Sequence, residues 1–593
     1  MATITCLPQE VITIILGYND ISVEDIINFK CVCKQFRWAA KYNKYMEKKF
    51  SQRWPSAKKL YDKQCKENEH EKSKENEQKN KTSSNFMETG TNCTKELRNY
   101  VSQILHEHYN NNEIIDNLTK FHRIFHLEHL QNNLNKVCEP ENFIKYSFFI
   151  DEIKNLLIQS PRRTGCDLTE RYCNIKMFHY MRHCLVRNKL YRYTNQSYKN
   201  QLLERIVTMA AQLLQPEKDV FYSSIKTSLD SIALEVLDYL REKHPNHSIF
   251  SMSAEIFSYW ENNHIDNNQW NEAGGTQIMD ILEEYILGKF QLCKWGMSSN
   301  TKLEYWCIDN VLKNRYGQEL ILLIIYHSVA RRLGLRCDVI RFGFPTSHFF
   351  IVWKPNFATY SSRNTRCFNI SSKKFLSYYL VVRELLHRIH SNIGNFDGLL
   401  RARRFWQQLV LLALEDSKQY NNAFTPYGLI PVIVYDSINV FSLRVKKAEL
   451  YTRPEDVKFA VGMIVTHQPT DCAGVIVGWH RHLDRHLVTF SAKSVPGSDM
   501  HIYELPLNHS RNCNFIEKQT NYIILTENNK MYYVEEDAIT LTTPRWIDNS
   551  EIGRYFYKFE GTHYVPNKML AKLYPQDTAI TAQHHCSNIA TLQ

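Results

Sequence analysis

The chain has 593 residues, of which 43% are hydrophobic and 23% charged, with a formal net charge of +11. That length is more than one core fills, and the composition excludes a collagen-like or disordered chain. The 16 cysteines follow no repeating framework, so the chain is not a small disulfide-stapled scaffold, and reduced thiols in a cytoplasmic or nuclear setting are expected.

The first residues, MATITCLPQE, have neither the basic nor the apolar stretch of a leader, and runs such as 320–326 and 409–414 are too short to span a bilayer. A soluble intracellular protein without membrane partners is the expectation. Charge is uneven along it. Between Arg453 and Asp577 there are 13 Lys+Arg against 15 Asp+Glu, a net of −2. Any basic surface is therefore expected upstream, around Arg331, Arg332, Arg336 and Arg341 or around Arg401, Arg403 and Arg404.

The segment 7–54 predicts three short helices. Pro8 suits a helix start and Glu10 the first turn, where the helix dipole favours a negative charge. Val11, Ile12, Ile15 and Leu16 recur on one face. Ser22 and Asp25 make a weak capping box for a second helix carrying Ile26, Ile27 and Phe29, and Val32, Cys33 and Phe36 begin a third. Some fifty residues of this kind carry more apolar side chains than they hide, which implies a protein partner. The pattern of Leu7-Pro8, an acidic residue, Ile15-Leu16, an Asp-hydrophobic step, Val32-Cys33-Lys34-x-Phe36-Arg37 and the distal Trp54 resembles an F-box. That resemblance implies docking on the adaptor of a cullin-RING (SCF) ubiquitin ligase and, through it, on the cullin and RING subunits. Leu7, Pro8, Ile15, Leu16, Ile26, Val32 and Cys33 are then adaptor-facing or core positions, two classes that spacing does not separate.

Pro55 ends this segment, and the Lys/Glu/Asn-rich text of 63–95 predicts a flexible tether, with a solvated single helix as the alternative. Helices are expected from residue 96 to 215, clearest at 198–214, and again at 228–240. Cys166, Cys173, His179, His183 and Cys184 lack the close ligand spacing of a structural zinc site, so no metal is predicted.

Residues 303–353 predict a helix ending at Gly334 and two strands, 337–342 and 349–353. Asp309–Leu312, Gly317, Val329–Gly334 and Pro345–Phe349 resemble the SirB1-type transglutaminase-like domain. In that family a cysteine opens the helix and a histidine on the following strand activates it. The nucleophile position falls at Glu319, and no Cys, Ser or Thr occurs between Lys313 and Tyr326. His348 matches the family histidine and Asn369 an orienting group, which makes Glu319, His348 and Asn369 vestigial positions in a pseudoenzyme with no cofactor. A residual cysteine acyl-transfer enzyme using Cys307 or Cys337 is the rival.

From about residue 454 the period shortens to strands at 464–467, 474–479, 486–490, 522–525 and 531–534, the pattern of a small antiparallel barrel. FAVGMIVTH, AGVIVGW, QTNYIILTENNKMYYVEED and LYPQD, in this order, resemble the YccV-like, hemimethylated-DNA-binding domain. His480 stands where that family often has Asp. Trp479, His480, Arg481 and Arg485 form a candidate ligand patch. The acidic balance favours a protein or peptide ligand over DNA.

The expected architecture is multidomain and mainly α with a C-terminal β module. It comprises a three-helix F-box (1–55), a linker (63–95), a helical and transglutaminase-like domain with a small sheet (96–450), a YccV-like barrel (454–577) and a tail (578–593). The expected function is presentation of a protein substrate by a non-catalytic ligase subunit, the tether setting its reach. A DNA-binding regulator is the second rival.

Overall fold

The computed structural model describes residues 7–18, 21, 23–39, 43–69, 78–110, 128–163, 165–197, 200–294, 303–342, 348–355, 366–369, 374–377, 452–480, 520–527 and 531–581. They fall into two units, Met1–Met181 with Leu443–Gln593, and Arg182–Ser442. No helix among the described residues is long and apolar enough to cross a membrane.

The first unit opens with α1 (Gln9–Leu16), α2 (Val23–Val32) and α3 (Lys34–Ala39). Ile12, Leu16, Ile26 and Phe36 are their small shared core, flanked by Leu7, Ile21, Phe29 and Cys33. The next helix, α4 (Asn43–Arg53), is tied back to them by the buried Lys49, whose ammonium donates to the carbonyls of Ile21, at 2.6 Å, and Tyr18. Then follow α5 (Pro55–Glu69), α6 (Gln78–Asn110), α7 (Glu128–Val137), α8 (Phe143–Ile158) and α9 (Leu168–Thr194). From Arg182 on, α9 belongs to the second unit.

The stretch expected to be a tether is helical wherever it is described. Its composition is polar, but Phe86 and Gly90 on α6 meet Trp54, which is buried at the end of α4. Trp54 also packs edge-on to Phe148 of α8, 5.2 Å between ring centroids. A few well-placed aromatic contacts repay the ordering that average polarity argued against.

The second unit begins with the end of α9, followed by α10 (Leu203–Leu214), α11 (Tyr222–Lys243), α12 (Ala254–Asn262) and α13 (Glu272–Glu284). A two-residue parallel pair, β1 (Cys293–Lys294) with β2 (Tyr316–Gly317), brackets α14 (Ile308–Asn314) and leads into α15 (Glu319–Arg332). Every residue of α15 is buried. A helix buried on all sides needs cover on all sides, and α10–α14 with the sheet β3 (Asp338–Phe342), β4 (His348–Trp353), β5 (Arg366–Asn369), β6 (Lys374–Ser377) supply it. The sheet is antiparallel in the order β3-β4-β5-β6.

The chain returns to the first unit as β7 (Ile464–His467), β8 (Cys472–His480), β9 (Asn521–Thr526), β10 (Met531–Glu535) and β11 (Ile539–Leu541), an antiparallel sheet ordered β10-β9-β8-β7-β11. The short helix α16 (Ile552–Tyr555), the hairpin β12 (Phe556–Phe559)–β13 (Tyr564–Pro566) and α17 (Lys568–Leu573) complete it. Four of the five strand positions read from the sequence lie within one or two residues of these; the fifth, 486–490, is outside the described residues.

Candidate functional site

The seven N-terminal positions divide by burial. Leu16 and Ile26 are core, Leu7, Ile15 and Cys33 are half-buried, and Pro8 and Val32 are exposed. Val32 is 69% exposed and Ile14 63%. Val11 and Ile14, one turn apart on α1, and Tyr18 just beyond it add to the uncovered apolar surface. Ile14 and Tyr18 escape a reading that looks for one apolar face. Their signal is that Ile14 falls between the turns that hold Ile12, Ile15 and Leu16.

The helix opening at Glu319 lies in the transglutaminase-like stretch. Glu319 is its first residue, buried, with Gln318 as N-cap. His348 is the first residue of β4 and pairs with Phe342 in the backbone register; Asn369, the last residue of β5, comes one step past the Ile351–Phe368 pair. Ile351 and Trp353 of β4 belong to the core that contains α15. Cys307 and Cys337 are buried thiols whose pKa burial pushes well up, and burial pushes that of Cys367 up to about 11.

The Val329–Gly334 motif has a structural account at each polar step. Arg331 is buried, not part of a basic surface. It donates to Glu204 of α10 at 2.6 Å and to the carbonyls of Trp260, Glu261 and Asn263, closing the C-terminus of α12. Arg332, also buried, reaches Glu204 at 3.0 Å and Asp230 of α11 at 2.7 Å. Burial alone would raise the Glu204 carboxyl, but the Arg331 and Arg332 guanidiniums hold it down to about 2. Gly334 takes φ +73, and a Cβ there would meet Trp260 at 2.9 Å. The Trp270 indole donates to Leu333 O at 2.8 Å. The cluster tethers three helices to α15.

In the C-terminal sheet Trp479 is buried, so it is not part of a surface patch. Its indole donates to Asp577 at 2.9 Å. Asp577 also accepts from Val461 N at 2.8 Å and pairs with Arg453 at 3.0 Å, while Gln576 accepts from Arg453 N. The LYPQD text is thus the clasp that closes the chain end over the sheet. His480 ends β8, and Arg481 and Arg485 lie outside the described residues.

The cysteine-histidine group on α9 is dispersed. Cys173 and Cys184 are buried, burial pushing the Cys173 thiol up to about 12, and His183 Nε2 lies 3.0 Å from Leu213 O.

Comparison with known proteins matches two segments to families. The model described as "Hemimethylated DNA-binding protein YccV like" covers residues 457–563, and the transglutaminase-like superfamily covers 224–368. Over nearly its whole length the chain is similar to F-box only protein 21. It is 22% identical to the protein of Homo sapiens and to that of Pongo abelii, covering 97% of this chain and 93% of each relative. It is also 22% identical to the Mus musculus protein, over 96% of this chain and 92% of the relative. No solved structure matches.

Proposed function

We propose that the chain is the substrate-recognition subunit of a cullin-RING (SCF) ubiquitin ligase. Its N-terminal helices dock on the ligase adaptor, and the rest presents a protein substrate to the ubiquitin-charged enzyme held by the RING subunit. The observation that carries this reading is the apolar surface left uncovered on the N-terminal helices, Val11, Ile14, Tyr18 and Val32, in a chain whose full-length relatives are named F-box proteins. Burying Ile14 and Val32 against a partner would contribute about 1.5–3 kcal/mol each. The mechanism is positional: holding substrate and charged enzyme on one assembly raises their effective concentration, and no residue of this chain makes or breaks a bond.

The non-catalytic part of the reading rests on Glu319 at the nucleophile position and the buried, protonated thiols of Cys307 and Cys337. A DNA-binding reading takes its support from the description of the C-terminal family alone. It predicts retention on duplex DNA that falls steeply with salt, which the net charge of −2 over Arg453–Asp577 disfavours.

The test is reconstitution. The intact chain is expected to co-purify with adaptor, cullin and RING subunit, and Ile14→Asp with Val32→Asp is expected to lose all three while keeping the wild-type melting profile. An intact, folded chain that captures no adaptor would overturn the reading.

A further inference from the structure

The first unit contains a continuous series of polar locks that runs from the N-terminal helices to the C-terminal sheet. At the start, Lys49 of α4 holds the carbonyls of Tyr18 and Ile21. At the other end of α4, Arg53 and Trp54 both donate to Glu152 of α8, the guanidinium at 2.6 and 2.9 Å and the indole at 3.0 Å. The adjacent Asp151 accepts from the backbone N–H groups of Ser56 and Ala57 at 2.8 and 3.0 Å, taking the orphan donors at the start of α5.

The elbow between α8 and α9 is locked in turn. Arg171, one turn into α9, donates to the carbonyls of Leu156, Leu157 and Gln159, which are the last acceptors of α8. Asp167 caps α9 by accepting from Thr169 N and Glu170 N, both at 2.9 Å. On the far side of that helix, Tyr172 and Lys176 hold Glu551 of the C-terminal module at 2.7 and 2.9 Å, and Thr169 donates to Phe556 O at 3.1 Å.

Both ends of this series are packed to backbone contact. A Cβ on Gly90 would lie 2.3 Å from the Trp54 ring, and one on Gly553 would lie 2.0 Å from Leu168 O and 2.7 Å from Tyr172 Cβ. Gly553 is in a helical turn with no need of left-handed backbone, so the proximity of α9 is what excludes a side chain there. Such contacts leave no room for sliding.

We infer that α8 and α9 form a rigid strut that fixes the C-terminal sheet at a set distance from the N-terminal docking helices, so that these two parts of the chain move as one body. The inference takes its meaning from the ligase reading: surfaces of the sheet would be held at a constant offset from the adaptor, in place of a reach set by a flexible tether. Most of these locks set a charged group on buried or half-buried polar partners. Loss of any one leaves unpaired groups and not merely one bond fewer.

The experiment is a spin-label distance measurement on the full chain, with labels carried by noncanonical residues at the exposed positions Asn28 and Thr543. The wild-type chain is expected to give one narrow distribution. Arg171→Ala, which loosens the elbow without touching either end, and Gly553→Ala, which wedges the sheet from α9 while suiting its own helical turn, are each expected to broaden it. A broad distribution in the wild-type chain, or no broadening with Arg171→Ala, would overturn the strut. Should Gly553→Ala impair folding, the wild-type and Arg171→Ala traces still decide. Adaptor capture by the same samples separates the two ideas. A narrow distribution without capture would sink the ligase reading alone, and capture with a broad distribution would sink the strut alone.

Discussion

Tyr172 and Glu551 are 379 positions apart in the chain and 2.7 Å apart in the fold, hydroxyl to carboxylate. Glu551 is buried, and burial by itself would raise its pKa; Lys176 and Arg554 outweigh that and lower it. The contact joins the N-terminal helices and the C-terminal sheet into one unit, although residues 182–442 separate them in sequence.

Glu551→Ala would strand Lys176, Arg554 and Tyr172 together. The expected cost is about 2–3 kcal/mol, below that of a fully buried pair because Lys176 keeps some contact with water. Hydrogen exchange is expected to quicken in residues 168–181 and 551–567 together. Unchanged protection in either segment would contradict the contact.

At the other end of α8, Gly90→Ala would ordinarily favour a helix by up to about 1 kcal/mol. Against the Trp54 ring the added methyl instead overpacks the core, and a net loss of about 1–2 kcal/mol is expected as a lowered urea midpoint. Deleting residues 1–55 would be harsher still. It removes Trp54 from between Phe86 and Phe148 and leaves Glu152 buried without its donors Arg53 and Trp54. Amides of α6 and α8 are expected to lose protection in that deletion, so point substitutions on the exposed face are the cleaner probe of docking.

In the second unit Glu204→Ala would leave two buried guanidiniums facing each other, at a cost of about 3–5 kcal/mol. Arg331→Lys is expected to cost nearly as much as Arg331→Ala. A single ammonium cannot span Glu204 and the α12 carbonyls as a planar guanidinium does. Thermal melts of the full chain would read both.

His327, buried on α15, is pushed down to about 3 by burial first and then by Arg331, with His264 and Arg332 acting in the same direction and Glu204 opposing. Its neutral form is therefore the folded form. The unfolded chain takes up a proton near pH 6.5, so stability is full above that pH and falls as pH drops from about 6.5 toward 3, by a few kcal/mol in order of magnitude. His327→Phe is expected to flatten the acid side of a stability-versus-pH curve. An unchanged slope would contradict the assignment.

The thiols give a further check. Under native conditions a maleimide probe is expected to label the exposed Cys31 and to spare Cys307, Cys337 and Cys367 until denaturant is added. Preferential labelling of Cys307 or Cys337 would revive the acyl-transfer reading.

What was legible in the sequence was local. Strands β7 to β10 of the C-terminal sheet, the helix from Glu319 to Arg332 and the left-handed Gly334 all follow from periodicity and turn chemistry. What was not legible depended on partners far along the chain. Arg331 and Arg332 read as basic surface because Glu204 and Asp230 are more than a hundred positions upstream. Trp479 read as a ligand-facing aromatic because Asp577, its buried acceptor, is 98 positions on. The 63–95 stretch read as a tether because average polarity conceals Phe86 and Gly90, the two residues that meet Trp54. In each case one isolated charge or aromatic acts at long range, where composition carries no signal.

The most direct test of the central claim is a calorimetric titration of purified ligase adaptor into the intact chain, wild-type and with Ile14→Asp and Val32→Asp together. The account predicts saturable binding by the wild-type chain with a negative heat-capacity change, the mark of apolar burial, and none by the variant at an unchanged melting temperature. Equal binding by both proteins, or no binding by a folded wild-type chain, would contradict it.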